Sequence, residues 1–259
     1  MLRTVSATRY ITPLREGGSL PAIVEADDGQ LYVLKFRGAG QGPKALIAEL
    51  VAGEIGRALG LAVPELVFVE FDAALARSEP DPEIQQLLSA SVGLNLALAY
   101  LPNALAFDPA VERVDAHLAS QIVWFDAYVT NVDRTARNTN MLIVNRQLWL
   151  IDHGASLFFH HTWTDYMTRS SSRFPQIRDH VLLPFASQID VVDQPLRAQL
   201  TDQIIASIVA LIPGEWLDPE PQFADHAAHR AAYVAYLISR RDQAATFVEE
   251  AINARAKLV

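Results

Sequence analysis

Cysteine is missing from all 259 residues. That excludes disulfides, thiolate metal sites and cysteine nucleophiles, and it fits a cytoplasmic protein. Lysine is scarce: Lys35, Lys44 and Lys257 are the three, and arginine supplies the rest of the 21 basic side chains. No stretch approaches the roughly 18 uninterrupted apolar residues of a membrane-spanning helix. The opening MLRTVSATRYITPL holds no apolar core of a secretion signal. An excess of positive charge is lacking too. The formal net charge is −9, so direct nucleic-acid binding is not expected, because neutralising phosphates takes clustered Lys and Arg. A local basic pocket remains compatible with that total. Internal repeats and low-complexity tracts are absent. What is present is apolar material, 51% of the chain, which is too much for disorder and enough for one large domain or two small lobes.

The order of patterns predicts an α+β chain. Gly17 to Gly38 reads as a β-hairpin turning at Asp28-Gly29, with LYVLKF as its second strand. Pro43 to Gly60 reads as a helix, with proline in its first turn and glycine past its end. VPELVFVEF and SVGLNLALAYL are strands, and DAALARSEPDPEIQQLLSA between them is a loop or insertion with a short helix. VERVDAHLASQIVWFDAYV is helical by the spacing of Val114, Leu118, Ile122, Phe125 and Val129. Two short strands, NMLIV and LWLID, follow, and most of the remainder is helical. A strand-rich first part of roughly a hundred residues thus meets a helix-rich second part, and we place the boundary between residues 1–102 and 103–259.

A polar cluster lies just past that seam. Asp133 and Asn138 stand five positions apart on a loop entering a strand, and Asp152 ends the next strand. A tight hairpin would bring Asp152 back beside Asn138. An amide and a carboxylate are oxygen ligands suited to Mg2+, which takes its other ligands from water and phosphates. Asp133 would stand beside the metal to orient or deprotonate an attacking hydroxyl. This is the layout of phosphoryl transfer, in which a strand lysine reaches the phosphates and a helix glutamate holds that lysine. Lys35 in YVLKF and Glu49 in the next helix occupy those places, and Gly17-Gly18 open the first hairpin strand where a turn could lie over phosphates.

YVLKF, AELVAGEIGRALGLAVPE, NVDRTARNTNMLI and LIDHG together resemble the HipA-like kinases, an atypical branch of the protein-kinase-like fold. The Asp-Arg-x-x-x-Asn stretch and the Ile-Asp-x-Gly strand are also similar to phosphoinositide kinases. The likeness covers Gly17 to Gly154. It implies a two-lobed fold with a small β-rich N-lobe and a larger helical C-lobe. It implies ATP and Mg2+ as cofactors and an unknown protein or small-molecule phosphate acceptor as partner, with no membrane. By position it makes Lys35 the phosphate-contacting residue, Glu49 its partner, Asp133 the catalytic aspartate, and Asn138 and Asp152 the metal ligands, with Asn140 an extra polar contact. Adenine would lie against Ala99, Tyr100 and Leu101. Some relatives are toxins that phosphorylate a serine of the glycine loop, for which Ser19 is the nearest residue. The chain departs from conventional kinases at Asn131, where they carry His, at His153, where they carry Phe, in its short glycine loop, and in lacking a later Ala-Pro-Glu triplet.

Each residue also has an ordinary use. Lys35 could snorkel from an edge strand. Asp133, Asn138, Asn140 and Asp152 could serve turns or caps. Glu54 competes with Glu49, because on a helical wheel Glu54 falls within the apolar stripe and Glu49 outside it. His153, His160 and His161 show no zinc-type spacing and read as loop histidines. The serines Ser170 to Ser172 read as a solvated loop, and Phe158, Phe159, Trp163 and Tyr166 as packing beneath it. Two other functions fit the pattern: a small-molecule phosphotransferase of the aminoglycoside-kinase type, and a nucleotide-binding pseudokinase.

Overall fold

The structure is a computed structural model that describes residues 2–14, 20–77, 79–217 and 219–258. Five strands close a barrel in the order β1-β2-β3-β5-β4: β1 (Thr4–Pro13), β2 (Ala22–Ala26), β3 (Leu31–Lys35), β4 (Leu66–Phe71) and β5 (Gly93–Ala99). The β2–β3 hairpin forms through Gly29, whose φ of +74° is open to glycine at no steric cost. Alternation then sorts the side chains. Val24, Tyr32, Leu34, Val67, Val69 and Ala97 fill the barrel, while Leu66, Leu96 and Leu98 point outward onto α1 (Pro43–Ala58) and the larger core. α1 lies close to β4 because Gly53 offers no Cβ, which would stand 2.8 Å from Leu66 Cδ1.

β1 is absent from the sequence reading, which found in these residues only the lack of a signal core. It pairs antiparallel with β2 and parallel with β4, with Val5 opposite Val69, and so completes the barrel. The stretch between β4 and β5 forms two helices, α2 (Ala73–Ala76) and α3 (Pro82–Ala90), each capped by an aspartate side chain.

The second part begins with a three-stranded sheet of β6 (Leu105–Ala106), β7 (Met141–Val144) and β8 (Gln147–Leu150). α4 (Ala116–Val129) runs through the centre of the larger core. It starts five residues later than the periodicity of VERVDAH suggests, because Asp115 accepts from the amides of His117 and Leu118 and fixes the first turn there. α6 (Ile189–Gln199), α8 (His226–Asp242) and α9 (Ala245–Ala256) pack on α4, and α5 (Tyr166–Ser170) and α7 (Asp202–Val209) pack on α8. Among the described residues no helix is long and apolar enough to cross a membrane.

The segment between α7 and α8 returns to the β-rich part and ties the two regions together. Trp216 is buried and donates from Nε1 to Leu94 O at 3.1 Å. Arg37 pairs with Glu215 at 2.9 Å and Lys44, at the start of α1, with Glu220 at 2.9 Å.

Candidate functional site

Lys35 closes β3 on the face opposite Leu34, so alternation turns it out of the barrel toward α1 and the helical region. Its Nζ lies 2.7 Å from Asp152 Oδ1 and 3.8 Å from Glu49 Oε2. Burial by itself would push the ammonium pKa down; Glu49, Asp152 and Asp133 outweigh it and hold the pKa above the ordinary lysine value. Glu49 is 2% exposed. It accepts from the His153 amide at 2.9 Å and from His153 Nδ1 at 3.3 Å. Burial opposes its charge, yet Lys35 and His153 bring its pKa down to about 2. Glu49 thus sits behind Lys35 as its partner, shielded by His153 and Gly154. Glu54, its rival on the wheel, pairs with Arg57 at 3.2 Å, and burial raises its pKa.

Asp152 follows β8 with φ +57°, a left-handed conformation that aspartate tolerates better than most side chains. The hairpin beneath it turns through Asn145 and Arg146, both at positive φ, and pairs Met141 with Leu150. The Ile151 amide then bonds Asn140 O at 3.1 Å, which sets Asp152 at the end of the loop that carries Asp133. Asp133 Oδ2 accepts from Asn138 Nδ2 at 2.7 Å and Asn140 Nδ2 at 3.1 Å, and its amide donates to Asn131 Oδ1 at 3.1 Å. Asn138 therefore turns its amide nitrogen to Asp133, leaving its amide oxygen for other contacts.

Beneath this loop lies a buried group that the sequence reading missed. Asp126 of α4 is fully buried. Its Oδ1 accepts from Asn131 Nδ2 at 2.9 Å, and its Oδ2 accepts from Arg134 Nε at 2.6 Å and His180 Nε2 at 2.8 Å. The Leu182 amide donates to His180 Nδ1 at 3.0 Å, so the imidazole proton resides on Nε2 and points at Asp126. Burial works against the Asp126 charge, but Arg134 and His180 hold its pKa far below the carboxylate range. Arg134 also donates to Asn140 O, and its own carbonyl accepts from the Val181 amide at 3.1 Å. One aspartate thus fixes both ends of the Asn131–Asn140 loop. The signal was available: an aspartate inside a helix that is apolar on every side demands a cationic partner.

A cavity of about 1090 Å3 runs between the two regions. Lys35, Asn138 and Asp152 line it together, as do Ala99, Tyr100 and Leu101 and the apolar side chains of Val33, Met141 and Ile151. The amides of Ala99 and Tyr100 donate to Glu65 O and Leu31 O. Pro13, Leu14 and Pro21 also line the cavity; Gly17, Gly18 and Ser19 lie outside the described residues. Among the described residues, no group of three or more His, Cys, Asp or Glu side chains gathers to hold a metal. Of the three histidines read as loop residues, His153 lies in a loop yet is fully buried, His160 is fully buried in a short 3-10 turn with Nδ1 3.0 Å from Tyr233 Oη, and His161 is only partly buried. Ser170 is buried as well, bonded to Ser239 at 2.7 Å. Phe159 and Trp163 pack inside as expected, whereas Phe158 stands 62% exposed.

The sequence profile described as HipA-like kinase matches residues 8–250. The fold is similar to the crystal structure of the Helicobacter pylori proinflammatory kinase CtkA, with a TM-score of 0.56 at 12% identity over 100% of both chains. It is also similar to the Golgi casein kinase, solved with Mn and ADP bound, with a TM-score of 0.50 at 10% identity over 96% of this chain and 73% of that one. A second structure of the Golgi casein kinase gives 0.51 at 10% identity over the same shares. At such identities the likeness is one of fold. No curated protein matches the chain.

Proposed function

This chain belongs to the HipA-like kinase family, and from that premise we propose that it transfers the γ-phosphate of ATP to a hydroxyl of a protein serine or threonine. The observation that carries this reading is the convergence of Lys35, Asn138 and Asp152 on one interlobe cavity, with Asp133 bonded to Asn138 at its edge. We take residue 102 as the lobe boundary and Ala99 to Leu101 as the segment against adenine. With the Ala99 and Tyr100 amides already engaged, the ring would use the carbonyls there or the Leu101 amide. Lys35, held by Glu49, would exchange its contact with Asp152 for the phosphates. Asp133, fixed by two carboxamides, would accept the hydroxyl proton as the new O–P bond forms and the bond to the β-phosphate oxygen breaks, releasing ADP.

The donor set fits Mg2+. Asp152 offers a carboxylate and Asn138 an amide oxygen, both hard ligands, with room beside them for phosphate and water oxygens. The ion would neutralise charge on the transferring phosphoryl group. That a neighbour of similar fold carries Mn and ADP supports the same use here. We place the protein in the cytoplasm and expect no direct nucleic-acid binding.

The test is intact-protein mass spectrometry after incubation with ATP and Mg2+, with phosphate release measured in parallel, wild type beside Asp133→Ala. Phosphate gain or release in the wild type alone supports the reading. Identical, background-level turnover in both sinks it and leaves a nucleotide-binding pseudokinase.

A further inference from the structure

Residues 131–178 carry six arginines, three aspartates and no lysine, in a chain where acidic side chains outnumber basic ones 30 to 21. Arg134 is buried on Asp126, but others are exposed. Arg137 is exposed and lines the main cavity next to Asn138. The Arg173 and Arg178 side chains are 65% and 73% exposed and only loosely held, 3.8 Å from Glu250 and 3.5 Å from the neighbouring Asp179. This segment thus carries a net positive charge while the rest of the chain is strongly acidic, and Arg137 and Arg173 bring part of it to the cavities beside the candidate catalytic loop.

A second cavity, of about 160 Å3, opens beside the same loop. Thr130 and Val132, immediately before Asp133, form one wall, and Phe158 and Phe174 another. The Phe158 amide donates to Thr130 Oγ1 at 3.1 Å, which joins the two walls. Arg169, Arg173 and the buried Arg240 line it too, beside Ser172 and Gln176, and among the described residues no carboxylate contributes to it. Arg169 spends Nη2 on the carbonyls of Phe159 and Thr164, while its buried Nε has no partner. Val132 and Phe158 are exposed at the rim.

The size of this cavity narrows the occupant. An apolar cavity of about 150 Å3 takes a single benzene ring, and pockets for whole small molecules begin near 300 Å3. One side chain of a larger molecule fits; a complete small-molecule acceptor does not. Arginine forks at the rim suit carboxylates, and complementary charge there governs encounter and register. We propose that the acceptor is an acidic polypeptide segment, one apolar side chain of which enters the second cavity while Arg173 and Arg178 pair with its carboxylates, presenting a hydroxyl to Asp133. This rests on the phosphotransferase reading above and specifies its acceptor.

The test supplies the full chain, ATP and Mg2+ with two pools of short peptides, each with a central serine or threonine and one leucine at varied positions. One pool is otherwise rich in Asp and Glu, the other in Lys and Arg. The acidic pool is expected to be phosphorylated with a kcat/KM about tenfold higher. Arg173→Glu, an exposed change expected to leave the melting temperature alone, should raise the KM for the acidic peptide about tenfold without moving that for ATP, and should favour the basic pool instead. Equal or reversed preference in the wild type, or an Arg173→Glu variant with unchanged peptide KM, overturns the proposal. Phosphate release or self-phosphorylation with no transfer to either pool overturns it while leaving the kinase reading standing. No ATP consumption at all removes both.

Discussion

Two charged clusters lie on either side of the loop from Asn131 to Asn140, and they differ in what their charges still have to do. Lys35 and Asp152 face the interlobe cavity with Glu49 buried behind the lysine, and the Asp152 side chain is 37% exposed. Asp126, Arg134 and His180 are closed off from solvent and directed at one another and at backbone carbonyls. The first set keeps a cation and a carboxylate available at low packing cost; the second fixes the loop's shape and has no access to a ligand. Access to the cavity, rather than the presence of an ion pair, separates the candidate site from the scaffold beneath it. Buried pairs hold geometry because breaking them is expensive.

Substitution should separate the two clusters cleanly. Asp133→Ala is expected to lower phosphate transfer by about 10²–10⁴-fold, the usual range for losing a general base, with unfolding in urea close to wild type; Asp152→Ala should abolish transfer with similarly small structural cost. Full activity in either variant would remove that residue from the site. Asp126→Ala should instead destabilise the fold by about 3–5 kcal/mol, because it leaves Arg134 charged and unpaired in the core. Replacing Asp126 and Arg134 together by leucine should cost less than either single change, as a double-mutant cycle in urea would read. Additive losses would mean that the pair is not coupled.

Acid provides a third comparison. Burial lowers the pKa of His160, and to a smaller degree of His161 and His229. Below about pH 6.5 the unfolded chain takes up protons that the folded one refuses, so this stability is present above that pH and is lost as pH falls, by at most about 1.4 kcal/mol per pH unit for each group. Glu49 acts later. Its pKa is lowered from 4.5 to about 2, so its contribution disappears only across that window. Melting temperature against pH should therefore decline first near 6.5, and His160→Gln should flatten that early decline. An onset only below pH 4.5 would assign acid sensitivity to carboxylates alone. The smallest effect is expected at Glu54→Gln: within about 0.5 kcal/mol of wild type and with unchanged transfer. Loss of transfer there, with Glu49→Gln active, would reverse the assignment of the Lys35 partner.

Local chemistry made much of this legible in the sequence. Asp28-Gly29 names a hairpin, Pro43 and Gly60 bracket a helix, and Asp133, Asn138 and Asp152 are joined by one short hairpin, so their proximity follows from the strands alone. The failures share a cause. β1 pairs with β4 more than sixty residues onward, Thr4 against Phe68, and its exposed Thr and Ser positions carry little apolar signal. The wheel favoured Glu54 over Glu49 because α1 buries ten of its 16 residues, and a helix enclosed on most sides has no single stripe by which to judge phase. Asp126 lacked a partner within helical reach; Arg134 and His180 reach it only after the loop folds back.

The parallel pairing of β1 with β4 leaves the barrel without a free margin. A chain trimmed of its first 13 residues would present two unsatisfied rows of backbone donors and acceptors, one on β2 and one on β4, to any other extended peptide in reach. The first strand therefore guards against self-association, and its removal should show as concentration-dependent oligomers before it shows as altered phosphate chemistry.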